Sequence, residues 1–170
     1  MKKFLRNVIV VPFFALMLLF VGCVGGSPKT FTKEGMSIEL TDKFVEKEHI
    51  TMTCYYETSD MFVAVLKEEF SSYISSSLSL TKYAEKVISA NKMDGIEVFL
   101  SEKGYAYFVY SKEASGNEYT YYATCHKAED AFWLIQFGIF SKNYEDKLET
   151  IQKYANSIAF ETETNDSGVL

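Results

Sequence analysis

Two histidines, three cysteines and one tryptophan in 170 residues leave little material for the common catalytic and metal-binding constellations. No Cys-x-x-Cys pair is present, which excludes a zinc ribbon or a thioredoxin-type site. No His-x-x-x-His, Gly-x-Ser-x-Gly or glycine-rich phosphate loop occurs either, so zincin, serine-hydrolase and nucleotide-binding chemistry lack their signatures. Basic residues are also in deficit, 17 against 23 acidic ones. An acidic balance repels phosphate backbones and anionic headgroups, and it argues against a nucleic-acid partner. Long apolar runs are missing except at the start. There residues 8–21 form one stretch, shorter than the roughly 20 residues of a spanning helix and interrupted by Pro12.

That first stretch follows Lys2, Lys3 and Arg6, and positive charge before a short apolar run is the pattern of an export signal. It ends at Phe20-Val21-Gly22-Cys23, which resembles the lipobox of bacterial lipoproteins. The resemblance implies a signal peptide over residues 1–22, cleavage before Cys23 and a diacylglycerol thioether on the Cys23 sulfur. Two acyl chains make a stable anchor where one binds only marginally. The implied address is the extracytoplasmic face of the cell membrane, held by lipid. Two other readings stay open: ordinary cleavage near Val24-Gly25-Gly26, or a leader that remains as an anchor. The leader carries no acid, so its removal takes the formal charge from −6 to −9.

Cys54 and Cys125 each fall in phase with apolar neighbours (Met52 and Tyr56; Tyr121 and Ala123). They read as buried thiols acting as small hydrophobes. One disulfide between them is the alternative that export permits.

Residues 23–34 read as a tether. A first strand follows over 35–40, where Met36, Ile38 and Leu40 alternate with polar residues. Further strands are predicted over 50–57, 61–66, 95–102, 105–112, 119–127 and 131–140. The last is almost wholly apolar, as a strand covered on both faces must be. The serine-rich stretch 71–79 reads as a mobile loop. A helix begins near residue 80 with Leu80, Tyr83, Ala84, Val87 and Ile88 on one stripe, capped by Ser79 or Thr81 and ended by Asn91. A second opens at Asn143 with Tyr144, Leu148, Ile151, Ala155 and Ile158 on its stripe and an Asn143–Asp146 capping pair. Residues 162–170 form an acidic, disordered tail. About seven strands and two helices predict an α+β domain over 35–161: one antiparallel sheet with a helix packed on each face.

Three segments are similar to the PsbP family: Gly35-Met36-Ser37-Ile38-Glu39-Leu40 with Phe44; Tyr121-Tyr122-Ala123-Thr124 through Lys127, Asp130, Ala131, Phe132 and Trp133; and Tyr154-Ala155-Asn156-Ser157-Ile158-Ala159-Phe160. The resemblance implies an α/β/α sandwich around an antiparallel sheet. It also implies an accessory or binding role, that of the family's characterised members, while the matching residues themselves are turn and core positions and speak for the fold.

His126 reads as a surface histidine on the polar face of its strand, near Glu129 and Asp130; with Asp130 alone it makes a weak metal site. Tyr105, Tyr107, Tyr119, Tyr121 and Tyr122 crowd adjacent strands. They read either as sheet-stabilising pairs or as a recognition face. The expectation is a non-catalytic binding or accessory lipoprotein with no cofactor and no metal. Its partners are the membrane, through the anchor, and a protein or envelope component. The alternatives are an envelope hydrolase built around His126 and a metal- or ligand-capturing lipoprotein.

Overall fold

The computed structural model describes residues 26–161. The signal peptide, Cys23 and the acidic tail from 162 lie outside the described residues.

Residues predicted as tether pair into the domain instead. Strand β1 (Pro28–Lys33) and β2 (Met36–Thr41) form an antiparallel hairpin in register from Pro28 opposite Thr41 to Lys33 opposite Met36. The turn between them, Glu34-Gly35, has φ of 52° and 82°. Positive φ at both positions is the geometry that suits a two-residue hairpin to the strand twist. The tether reading missed this strand because only Phe31 on it is buried, so no apolar alternation marks it. A two-residue strand, β10 (Ala159–Phe160), pairs with the other edge of β2.

The second sheet has seven strands: β3 (Val45–Lys47), β4 (Cys54–Glu57), β5 (Met61–Glu69), β6 (Phe99–Leu100), β7 (Ala106–Ala114), β8 (Asn117–Lys127) and β9 (Ala131–Phe140). Their spatial order is β3-β4-β5-β9-β8-β7-β6, every pair antiparallel. Two sheets therefore stand where the sequence suggested one. The strand predicted over 50–57 begins only at Cys54, because residues 50–51 turn. There the Thr51 backbone N–H and hydroxyl lie 3.4 and 3.2 Å from His49 Nδ1. The strand predicted over 95–102 shrinks to Phe99–Leu100, since Gly95 takes a φ of 78° and Ile96 and Val98 pack into the core outside the ladder.

Helix α1 (Leu80–Ala90) matches its prediction closely. Ser79 caps it by accepting from the Lys82 backbone N–H, and Asn91 ends it. Helix α2 (Tyr144–Asn156) differs at its start: a 3₁₀ turn over Ser141–Asn143 leads in, and Asn143 makes no side-chain cap bond.

The core divides along β9, whose successive side chains alternate between faces. Trp133, Ile135, Phe137 and Ile139 join a cluster with Met36, Ile38 and Leu40 of β2 and Ile151 and Ala155 of α2. Phe132 and Leu134 join a second with Phe108, Ala123, Cys125 and, from α1, Tyr83 and Ala84. Each fully buried Phe or Ile contributes about 1.5–3 kcal/mol through the area it removes from water. These two clusters are therefore what holds β9 at the centre.

Candidate recognition surface on the large sheet

Helix α1 is too short for the face it packs on. Eleven residues of helix reach about 16 Å, whereas the ten residues of β9 extend about 33 Å. The helix sits over the end of the face that holds Phe132, Leu134, Cys125 and Phe108. Toward the other end, where β9 carries Gln136, Gly138 and Phe140, the same face is lined by rings.

Register places those rings side by side. Gly138 of β9 lies opposite Phe62 of β5 and Tyr121 of β8; Tyr121 lies opposite Tyr110 of β7. Tyr55 of β4 lies two residues along, opposite Ala64. Ring centroids step 5.6 Å from Tyr55 to Phe62, 5.8 Å from Phe62 to Tyr121 and 4.7 Å from Tyr121 to Tyr110. Tyr119 and Phe140 form a flanking pair 4.8 Å apart, and His49 stacks on Tyr55 at 5.7 Å. Gly138 is required beneath this row, because a Cβ there would overlap the Phe62 ring. All of these rings except that of exposed His49 are half-buried.

Tyr110 donates to Gln136 Oε1 at 2.6 Å. Burial pushes the phenols of Tyr55, Tyr110 and Tyr121 up from their ordinary value of 10, so each is a neutral donor at physiological pH. The hydroxyls of Tyr55, Tyr119 and Tyr121 have no hydrogen-bond partner among the described residues. A face of rigid rings with free hydroxyls offers apolar contact and polar tips together at small entropic cost.

The five tyrosines singled out from sequence divide between the faces. Tyr119 and Tyr121 stand on the open one. Tyr105, Tyr107 and Tyr122 point to the other, where Tyr105 and Tyr122 are buried, Tyr107 stacks on Tyr122 at 5.1 Å, and Tyr105 donates to Asn156 at 3.0 Å. Tyr55, Phe62, Tyr110 and Phe140 were missed as partners of this face. Only the strand pairing brings them together, although the outward phase of Tyr55 beside buried Tyr56 was a signal.

His126 is not a surface residue. It is 8% exposed, lies 3.0 Å through Nε2 from Thr124 Oγ1, and packs its ring 5.1 Å from Tyr105 and 5.6 Å from Phe160. Burial holds its imidazole down at about 4. Asp130 turns instead to Lys67, 2.6 Å away. The His126–carboxylate pair that a hydrolase or a metal would need is not formed. Among the described residues no group of three metal-ligating side chains gathers. Cys54 and Cys125 are both free and buried.

No family model matches the chain, and no curated protein matches it in sequence. Solved structures do. The cyanobacterial PsbP (CyanoP) of Synechocystis sp. PCC 6803 is similar at a TM-score of 0.50 and 11% identity, covering 84% of this chain and 96% of its own. The Ran-binding protein Mog1p of Saccharomyces cerevisiae is similar at 0.51 and 9% identity, over 80% and 96%. The fold is PsbP-like. A Bacteroides thetaiotaomicron VPI-5482 protein shares it at a TM-score of 0.52 and 12% identity; this chain spans 49% of that one's length. At such identities the PsbP-like likeness speaks for α+β architecture and carries no residue roles with it.

Proposed function

We propose that this protein is a membrane-anchored extracytoplasmic lipoprotein whose PsbP-like domain works as a non-catalytic binding or accessory module. The observation that carries the binding role is the ring-lined half of the sheet face that α1 leaves uncovered, with Tyr55, Phe62, Tyr121 and Tyr110 in one row. Cys23, at the end of the leader, is the site of lipid attachment. The finer architecture in this reading is an α/β/α sandwich; the division of the core into an α2-side and an α1-side cluster supports it. The mature chain, of net charge −9, is repelled by an anionic bilayer and presents the aromatic face to the envelope. The binding partner is an envelope component.

Sedimentation with two separated fractions, purified lipid membranes and lipid-free envelope material, tests both halves. The full chain should sediment with membranes, and Cys23→Ser should release it to the soluble fraction. The released variant should still co-sediment with lipid-free envelope material, and adding Tyr110→Ser and Tyr121→Ser should abolish that. Membrane retention of Cys23→Ser would sink the anchor. Unchanged co-sedimentation of the tyrosine variant would sink the binding face.

A further inference from the structure

The open aromatic face carries a charge opposite to that of the molecule. On β3, the strand that borders the row, Lys47 is paired with Glu57 at 3.5 Å. Lys112 stands beside the row, on β7 directly opposite Tyr119. Just past β9, Lys142 lies with Nζ 5.8 Å from the Phe140 ring centroid. Both lysines are exposed, and neither is in an ion pair among the described residues. Acids outnumber bases in the whole chain, yet this face has two unpaired cations at one flank. An exposed cation left free beside a binding surface steers anionic partners and fixes their register.

The row itself is linear and shallow. It crosses five strands, β4-β5-β9-β8-β7, a span of about 19 Å at the usual strand spacing. Ring centroids advance by 4.7 to 5.8 Å, close to the advance of one pyranose in an extended chain. Tyr121 stacks on Tyr110, and Tyr55 lies between His49 and Phe62, so the row offers a sugar its ring edges and the free phenol hydroxyls of Tyr55 and Tyr121. A protein partner would call for an anchoring pocket at the centre of the patch. Here Phe62 fills that centre by lying across Gly138.

We infer that the face binds an extended acidic glycan, its sugar rings laid along the Tyr55–Phe62–Tyr121–Tyr110 row and its carboxylates met by Lys112 and Lys142. The inference rests on the proposed binding role and names the partner's chemistry.

Titration of the full-length protein at low ionic strength with three probes tests it: a β-1,4-linked oligomannuronate, the neutral β-1,4-linked mannose oligomer of equal length, and hexaglutamate. The oligomannuronate should bind saturably, shift the NMR signals of Tyr55, Phe62 and Tyr121, and weaken as salt screens the lysines. The neutral oligomer should bind more weakly and hexaglutamate should not compete. Lys112→Glu with Lys142→Glu, both at exposed positions that leave the fold intact, should weaken the acidic glycan about tenfold and leave the neutral one unchanged. Equal affinity for the neutral oligomer overturns the role of the lysines. Tighter hexaglutamate binding assigns the face to acidic polypeptide and overturns the glycan. If no probe binds, the glycan inference falls, while tyrosine-dependent envelope sedimentation still decides the binding role separately.

Discussion

His126 shows how one side chain is shaped by its surroundings. It sits on β8 among Tyr105, Thr124 and Phe160, and burial lowers its imidazole from 6.5 to about 4. In the folded protein it therefore stays neutral well below the pH at which the unfolded chain takes up a proton. Between about 6.5 and about 4 the unfolded state binds the extra proton, so stability falls as pH falls through that window. Below it both states are protonated, and this group adds no further loss. The full shift corresponds to on the order of 3 kcal/mol. Replacing His126 by Phe removes the titration. Denaturant unfolding between pH 7 and 4 should then show a shallower loss of stability for His126→Phe than for the wild type. An identical slope would mean that the ring is not held neutral by burial. The sequence could not place this residue. Acidic Glu129 and Asp130 follow closely and suggest an exposed turn, whereas the strand's inward phase continues from Tyr122 and Thr124 to His126.

At the scale of elements, the hairpin of β1 and β2 carries a similar lesson. Phe31 is the one buried residue of β1; its ring lies 4.8 Å from that of buried Tyr56. Phe31 thus closes the edge of the α2-side cluster, and Phe31→Ala should cost about 3 kcal/mol by loss of buried area and the cavity left behind. Thr30→Ala on the exposed side should change stability by less than about 0.5 kcal/mol. If the two variants melt together, residues 28–33 are a tether after all. The elements most legible from sequence were those with a full apolar stripe or run: α1, α2, β8 and β9. Those lost were β1, whose single buried residue sets no alternation, and β3 and β10, too short for any period to register. The recognition surface was half-visible for a related reason. Tyr119 and Tyr121 can be read along one strand, but their joining to Tyr55, Phe62 and Tyr110 depends on pairing between strands distant in sequence.

Across the whole molecule, the two faces of the large sheet keep its cysteines apart. Cys54 belongs to the cluster shared with β2 and α2, Cys125 to the one shared with α1. Their strands, β4 and β8, are separated by β5 and β9, about 14 Å at normal strand spacing. A disulfide needs Cα atoms within about 7 Å, so export to an oxidising compartment does not join these two. Burial also pushes both thiols up, Cys125 to about 12, and only the thiolate reacts. In a Cys23→Ser chain, a thiol reagent should therefore find two free cysteines that label only as the domain unfolds. Their labelling rate should rise with denaturant in step with unfolding, and a reductant should leave the melting temperature unchanged. A reductant-sensitive melt, or two thiols already lost in the purified protein, would require the strand order itself to be different, because no movement of side chains can bridge two intervening strands.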